Sequence, residues 1–194
     1  LEWTIVFCLS LRYQDQRSRK RTSVNLIDRL QKKKNAILVA IIMLVILVGL
    51  DQWTKWAVVR SIPLNGVHVV IPGFFELTYL QNFGAAFSSM SGAGMWYFII
   101  LTTIALIALS IWFLKNDDSR IDIALSLIIA GAIGNLIDRV MLGYVRDFFQ
   151  FYIFGYPFAV FNIADVCITL GCVLLFVVMF ADDFKAWRMA RKEK

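Results

Sequence analysis

Residues 95–114 read MWYFIILTTIALIALSIWFL and carry no charged side chain over twenty positions. An α-helix rises about 1.5 Å per residue, so such a stretch is long enough to cross the roughly 30 Å hydrocarbon core of a bilayer. The whole chain shows the same bias, because 59% of its 194 residues are hydrophobic, 18% are charged and the mean hydropathy is +0.68. This composition excludes an ordinary soluble enzyme and predicts a membrane-spanning helix over residues 95–114.

Three further segments are apolar enough to cross a bilayer. They run from Asn35 to about Val59, from Ile121 to about Leu142, and from Phe161 to Phe180. Counted with residues 95–114, they predict an α-helical membrane protein with four transmembrane helices.

The positive charge lies at one end of the chain and predicts its orientation. Residues 1–34 carry nine Lys or Arg against three acids, whereas residues 35–194 carry eleven of each sign. Basic segments flanking spans stay on the cytoplasmic side, so both termini are expected there and Asp51, Asp138 and Asp165 toward the extracytoplasmic leaflet. A basic run beside a span also fits anionic headgroups, and no nucleic-acid partner is expected.

The chain divides into three parts on this basis. Residues 1–34 form a basic cytoplasmic stretch, residues 35–180 the four-span domain, and residues 181–194 a basic cytoplasmic tail. Because the chain begins with Leu1, residues 1–34 are expected to be either disordered or an addition to the natural chain.

The connection between spans one and two, about residues 61–90, predicts a small extracytoplasmic β-sheet. Val67–Ile71 and Phe74–Leu80 favour strands and are separated by Pro72-Gly73. The region ends in small residues, from Asn82 to Ser88, which would let the backbone approach a ligand or a helix closely.

A spacing of Asn-x-x-Asp occurs twice, at 135–138 and at 162–165. On a helix these positions share a face, so each Asn could hold the neighbouring carboxyl group by a hydrogen bond. Asp147 follows in the loop expected between spans three and four, near enough in sequence to meet Asp165. His68 has no metal-ligand partner pattern, and neither a metal nor a cofactor is expected.

Two carboxyl groups in a poorly hydrated site share a proton, so that one can activate water while the other acts as an acid. Other interpretations stay open at this point. Asp51 and Lys55 could simply pair at a helix end, and Arg139 could only reach toward headgroups. Intramembrane acids also serve proton transport, so transport and catalysis are equally compatible with Asp138 and Asp165.

Five motifs, in order, resemble those of the bacterial lipoprotein signal peptidases, the signal peptidase II family. Together they cover about residues 36–180. The matching segments are Asp51-Gln52-Trp53-Thr54-Lys55, Asn82-Phe83-Gly84-Ala85-Ala86-Phe87, Gly131-Ala132-Ile133-Gly134-Asn135-Leu136-Ile137-Asp138-Arg139, Val145-Arg146-Asp147-Phe148 and Phe161-Asn162-Ile163-Ala164-Asp165.

The resemblance implies a membrane-embedded aspartic endopeptidase that uses no metal. It would cut a prolipoprotein just before a diacylglyceryl-modified cysteine, and it is expected to act as a monomer among the lipids of the bacterial cytoplasmic membrane. The catalytic pair of the family matches Asp147 and Asp165, and Asp138 is expected to brace Arg139 and the loop. Residues at positions that bind substrate or support the site are Asp51, Lys55, Asn82, Gly84, Asn135, Asp138, Arg139, Asn162 and Ala164.

Arg146 departs from the family pattern, because an apolar residue often precedes the catalytic aspartate. We expect its side chain to face the lipid headgroups. Two rival functions remain: a small dimeric proton-coupled transporter, and a lipoprotein-binding chaperone without hydrolysis. The transporter would need its acids near the midplane, whereas here they cluster toward one face.

Overall fold

A computed structural model describes residues 2–84 and 93–192 of the chain. The elements in chain order are α1 (Glu2–Ser61), β1 (Val67–Ile71), β2 (Phe75–Asn82), α2 (Ala93–Lys115), α3 (Ser119–Leu142), β3 (Val145–Ile153), β4 (Tyr156–Pro157) and α4 (Ile163–Lys192). The chain separates into two compact units, Leu1–Val39 and Ala40–Lys194. The described part of the first unit is helical throughout, and the second unit contains all the other elements.

Four helical segments are long and apolar enough to cross a membrane: Leu30–Ser61, Met95–Lys115, Ser119–Leu142 and Ile163–Ala181. The predicted fold class is thereby confirmed. The domain boundaries at residues 34 and 180 stay predictions. Neither coincides with the end of a helix, since α1 continues through residue 34 and α4 through residue 180.

Helix α3 is the central helix of the second unit and packs against both α2 and α4. Its backbone approaches α4 very closely. A Cβ atom on Gly131 would collide with the carbonyl oxygen of Ala164, and one on Gly171 would lie 2.8 Å from the carbonyl oxygen of Ala124. Without water to drive apolar burial in a bilayer, close contact through small residues is a main source of helix association.

The sheet is antiparallel and has the strand order β1-β2-β3-β4. Its first two strands confirm the predicted sheet between spans one and two. Its last two strands come from residues 143–160, for which the sequence predicted only a connecting loop. Asp147 therefore lies in strand β3, paired with Leu80 across the sheet, and the loop assignment was wrong. The pairing was missed because it joins residues that are distant along the chain.

The sheet is attached to the end of α1 by a cluster of buried apolar side chains. Val58 of α1 and Ile62, the residue that follows the helix, pack with Tyr79 of β2 and Phe148 of β3. Phe161, predicted to begin span four, instead forms a β-bridge with Phe149, so that α4 begins at Ile163. This packing holds β3 beside the first turn of α4.

Replacing Gly131 by Ala tests the contact between α3 and α4. The new Cβ would meet the backbone of Ala164, and overpacking of this kind costs about 1–3 kcal/mol. Gly49→Ala is the matched control, because its Cβ would meet no atom within 4 Å. We expect Gly131→Ala to lower the thermal unfolding midpoint in detergent relative to Gly49→Ala, and equal midpoints would contradict the close packing.

Candidate active site

The first turn of α4 carries a reciprocal pair of hydrogen bonds between Asn162 and Asp165. The Asp165 backbone N–H donates to Asn162 Oδ1 at 3.0 Å, and the Asn162 backbone N–H donates to Asp165 Oδ2 at 3.2 Å. This is the arrangement of a helix capping box, which satisfies two amide groups that have no partner within the helix. Helix capping therefore explains the Asn-x-x-Asp spacing at 162–165. It leaves the side-chain NH2 group of Asn162 available to other groups.

The Asp147 carboxyl group is held by two asparagine amides. Asn162 Nδ2 donates to its Oδ1 at 2.7 Å, and Asn82 Nδ2 donates to its Oδ2 at 2.8 Å. The residue is 1% exposed. Among the described residues Asp147 has no salt-bridge partner, so its hydrogen bonds come from neutral donors.

Burial raises the pKa of Asp147 from 3.8 to about 6. The nearby Asp165 adds to this increase, because two negative charges close together are unfavourable. The hydrogen bonds from Asn82 and Asn162 and the charge of Lys55 act in the opposite direction, since they favour the ionised form. A carboxyl group with a pKa of about 6 can hold a proton and release it near neutral pH.

The two carboxyl groups meet at Asn162. Its side-chain amide donates to Asp147 and its backbone N–H donates to Asp165. Asn135 Nδ2 donates to Asp165 Oδ1 at 2.8 Å, and the same Asn135 accepts from Asn162 Nδ2 at 3.1 Å through its Oδ1. Asp165 is partly exposed, whereas Asp147 is buried. The pair therefore has one solvent-accessible member and one enclosed member.

Lys55 lies behind the two carboxyl groups and is fully buried, at 0% exposure. Its Nζ is 2.9 Å from Asp51 Oδ2 and 3.2 Å from Asp138 Oδ2, and it donates to Asn135 Oδ1 at 3.0 Å. The Asp51–Lys55 pair is thus more than a local helix-end contact. It connects α1 to α3 and, through Asn135, to Asp165.

Asp51 also connects α1 to the start of α4. Its Oδ1 accepts the backbone N–H of Ala164 at 2.9 Å. Gly134 makes this approach possible, because a Cβ there would lie 2.7 Å from Asp51 Oδ2. A residue with any side chain at position 134 would push the Asp51 carboxylate away from Ala164.

Asp138 braces Arg146 rather than Arg139. Arg146 Nη2 lies 2.7 Å from Asp138 Oδ1, and the backbone N–H of Arg146 donates to Asp138 Oδ2 at 3.0 Å. Gln52 joins them, accepting from Arg146 Nη2 at 2.8 Å and donating to Asp138 Oδ1 at 3.1 Å. The expectation that Arg146 faces lipid headgroups was wrong, because a buried carboxylate attracts the guanidinium more strongly than solvated headgroups do.

Arg139 and Gly84 lie near the ring of Phe98. The Arg139 guanidinium carbon is 5.4 Å from the ring centre, within cation–π range, and its Nη1 donates to the carbonyl oxygen of Asn135 at 3.5 Å. Gly84 adopts a φ of +86°, and a Cβ there would collide with the same ring. Its backbone N–H donates to Asn82 Oδ1 at 2.8 Å, which orients the amide that binds Asp147.

The structure brings almost all the predicted site residues into one hydrogen-bonded network, with Arg139 and Gly84 at its margin. Residues 85–88 of the predicted small-residue stretch lie outside the described residues. His68 lies on β1. Within residues 2–84 and 93–192, no group of His, Cys, Asp and Glu side chains is arranged to hold a metal ion.

Sequence reasoning assigned no site role to Gln52 and placed Arg146 incorrectly. Gln52 stood inside a quoted motif but received no role. For Arg146 the available signal was the β-favouring composition of Val145–Ile153, because in a strand the neighbour of Asp147 faces away from it. On that opposite face it meets Asp138.

Four helices able to span a membrane, with two neighbouring carboxyl groups at the start of α4 and on strand β3, fit a membrane peptidase of the aspartic type. The comparisons with known proteins agree. The sequence model described as Signal peptidase (SPase) II matches residues 41–181. The chain belongs to the signal peptidase II family, and removal of the signal peptide from prolipoproteins is the activity that this membership indicates.

Several relatives and solved structures are similar over most of their length. A lipoprotein signal peptidase of Streptococcus thermophilus is 46% identical over 153 residues, which are 78% of this chain and 96% of the relative. One of Staphylococcus aureus is 41% identical, covering 77% of this chain and 93% of the relative. A solved bacterial membrane enzyme is 41% identical with a TM-score of 0.69, covering 74% of this chain and 93% of that one.

The protonation of Asp147 can be measured without activity. In infrared difference spectra against Asp147→Asn, we expect the protonated carboxyl band of Asp147 to disappear with a midpoint at about pH 6. Asn82→Ala should raise this midpoint, because it removes a donor that favours the ionised form. Asp28→Asn, at an exposed position on α1, is the control and should leave the midpoint unchanged. A midpoint near 3.8 would contradict the burial effect.

Proposed function

We propose that this chain removes the signal peptide from diacylglyceryl-modified prolipoproteins, cutting just before the lipidated cysteine, with Asp147 and Asp165 as its catalytic pair. The observation that carries this proposal is the contact of both carboxyl groups with Asn162. One of the two also has a pKa raised to about 6. Paired carboxyl groups of this kind support the hydrolysis of an amide bond.

The two aspartates have different roles in the proposed reaction. Asp165 is the partly exposed member, and its carboxylate takes a proton from a water molecule that attacks the scissile carbonyl carbon. Asp147 is protonated at the start and donates its proton to the carbonyl oxygen, which gives a neutral tetrahedral diol. The diol then collapses: the C–N bond breaks, the amine nitrogen takes a proton from Asp165, and Asp147 recovers its proton from a hydroxyl group.

The neighbouring polar residues orient the reactants. Asn82 and Asn162 fix the Asp147 carboxyl group, and Asn135 fixes Asp165. Arg139 lies at the margin of the site, where it binds the substrate backbone near the scissile bond. Hydrogen-bond donors held in place before the reaction stabilise developing charge without reorganisation, which is a large part of enzymatic rate enhancement.

The lipid part of the substrate provides much of its binding. Apolar side chains of the first two spans are exposed along their length, including Ile41, Val45, Ile100 and Ile104. The diacylglyceryl chains lie along such surfaces while the peptide enters from the side and crosses between Asp147 and Asp165. The acyl chains keep the substrate in the same bilayer as the enzyme, at about 0.8 kcal/mol per methylene removed from water, and their packing against the spans adds van der Waals contact. The enzyme acts as a monomer, since one chain supplies both carboxyl groups.

The rival functions receive less support. A proton-coupled transporter places its acids near the midplane between spans. Here one acid lies on strand β3 outside the spans, and the other lies in the first turn of α4. A lipoprotein chaperone has no use for a carboxyl group with a raised pKa beside a second acid.

Replacing either catalytic aspartate by Asn should abolish cleavage while the protein stays folded in membranes. General acid–base catalysis contributes about 10²- to 10⁴-fold, so kcat should fall by at least that factor. The measurement is cleavage of a diacylated prolipoprotein in vitro. Asp138→Asn should impair the rate less. Asp122→Asn is a control at a buried acid in the first turn of α3 and should keep activity. Turnover by Asp147→Asn or Asp165→Asn would refute the assignment.

The Lys/Arg distribution supports cytoplasmic termini and a site toward the extracytoplasmic leaflet. A cysteine introduced at the exposed His68 should react with a membrane-impermeant maleimide in intact cells. One introduced at the exposed Lys115 should react only after lysis. The parent chain, labelled in parallel, corrects for its own three cysteines. The reverse order of labelling would show that the orientation is inverted.

A further inference from the structure

We infer that Arg146 is a positioning residue for the cleavage reaction, because its contacts with Asp138 and Gln52 hold the strand that carries Asp147. The inference rests on the proposed role of Asp147. Arg146 lies directly before Asp147 on β3, and its side chain is on the other face of the strand, 15% exposed against a fully buried Asp138.

The side chain of Arg146 makes a contact that a single point charge could not reproduce. Its Nη2 lies 2.7 Å from Asp138 Oδ1, and its Nε donates to Asp138 Oδ2 at 3.3 Å. The same Nη2 donates to Gln52 Oε1 at 2.8 Å. A planar guanidinium that grips both oxygens of one carboxylate restricts both the distance and the angle of approach. Arg146 is thereby fixed to α3 through Asp138 and to α1 through Gln52.

The main chain of Arg146 transmits this restraint to the catalytic pair. Its backbone N–H donates to Asp138 Oδ2 at 3.0 Å, and its carbonyl oxygen accepts from Asn162 Nδ2 at 3.4 Å. That same Nδ2 donates to Asp147 Oδ1. One residue is therefore held on one side by Asp138 and on the other by the asparagine that contacts both catalytic carboxyl groups.

The charge of Arg146 also completes the buried cluster. Asp51 and Asp138 are two buried carboxylates, and Lys55 contacts both of them. Arg146 supplies the second positive charge, so that these four side chains are neutral in sum. Without it, two carboxylates would share one ammonium group, and Asp138 would lose the partner that ties it to β3.

The kinetics of an Arg146 variant distinguish a salt bridge that only stabilises the fold from a contact that positions Asp147. Loss of stability alone lowers the amount of folded enzyme, whereas a displaced Asp147 lowers kcat of the enzyme that remains folded. Misplacement by about 1 Å can cost 10²-fold in rate. Substrate binding through the lipid chains does not involve Arg146, so KM should change little.

The test compares Arg146→Gln with Arg146→Lys, using a diacylated prolipoprotein peptide as the substrate and folded enzyme as the concentration standard. We expect Arg146→Gln to lower kcat by about 10- to 100-fold at nearly unchanged KM, and Arg146→Lys to recover part of that loss because it restores one charge. Arg60→Gln is the matched control. Arg60 stacks on Trp56 at the end of α1, outside the cluster, and its loss should leave kcat unchanged.

A double-mutant cycle with Asp138→Asn identifies the path of the effect. If Arg146 acts through Asp138, the combined variant should lose less kcat than the product of the two single losses. Losses that multiply, or a kcat for Arg146→Gln equal to that of the parent, would overturn the inference. If Arg146→Gln does not fold, Arg146→Lys decides: a lower kcat at unchanged KM supports positioning, and parental kcat refutes it.

Failure of this inference is distinguishable from failure of the proposed function. Parental kcat in Arg146→Gln, together with an inactive Asp147→Asn, would refute only the positioning role. An active Asp147→Asn would remove the catalytic pair itself, and the inference with it.

Discussion

The structure depends on a neutral cluster of four charged side chains placed among apolar helices. Asp51 and Asp138 are paired with Lys55 and Arg146 through contacts of 2.7 to 3.2 Å. One unpaired charge at the centre of a spanning helix costs roughly 2.5–3.5 kcal/mol, and removing one partner of a buried pair leaves such a charge behind. The cluster joins α1, α3 and β3, and the Ala164 N–H extends it to α4. The elements that carry the candidate active site are thus positioned by the need to keep buried charges compensated.

Asp138 and Asp147 show how environment separates a structural carboxylate from the carboxyl group that we propose to act as an acid. Both are almost completely buried and lie near each other in sequence. Asp138 contacts two cations, which hold it as a fixed anion. Asp147 receives hydrogen bonds from two neutral amides and lies near a second acid, so its pKa rises to about 6 and a proton can return to it. A general acid needs this second kind of environment, because it must exchange its proton in every turnover.

The sequence predicted the four spans because length and apolar composition are local properties of a segment. It also predicted the first two strands, and the resemblance of five short motifs identified Asp147 and Asp165 as the expected pair. The sequence did not predict that Asp147 lies on a strand. The strand β3 exists because it pairs with β2, and the bond between Asn82 and Asp147 joins residues 65 positions apart. The aromatic and β-branched residues of Val145–Ile153 favour a strand, but they do not indicate which strand it pairs with.

Arg146 is the clearest case of a contact that the sequence did not predict. Its sequence position beside an expected catalytic residue left two directions for its side chain, and the choice depended on which counter-charge lay within reach. Hydropathy, charge bias and motif order are properties of the sequence alone. They determined the membrane class, the number of spans and the candidate residues. The partner of each carboxyl group was decided only by the tertiary structure, because the energy of a buried charge depends on atoms brought near it from distant parts of the chain.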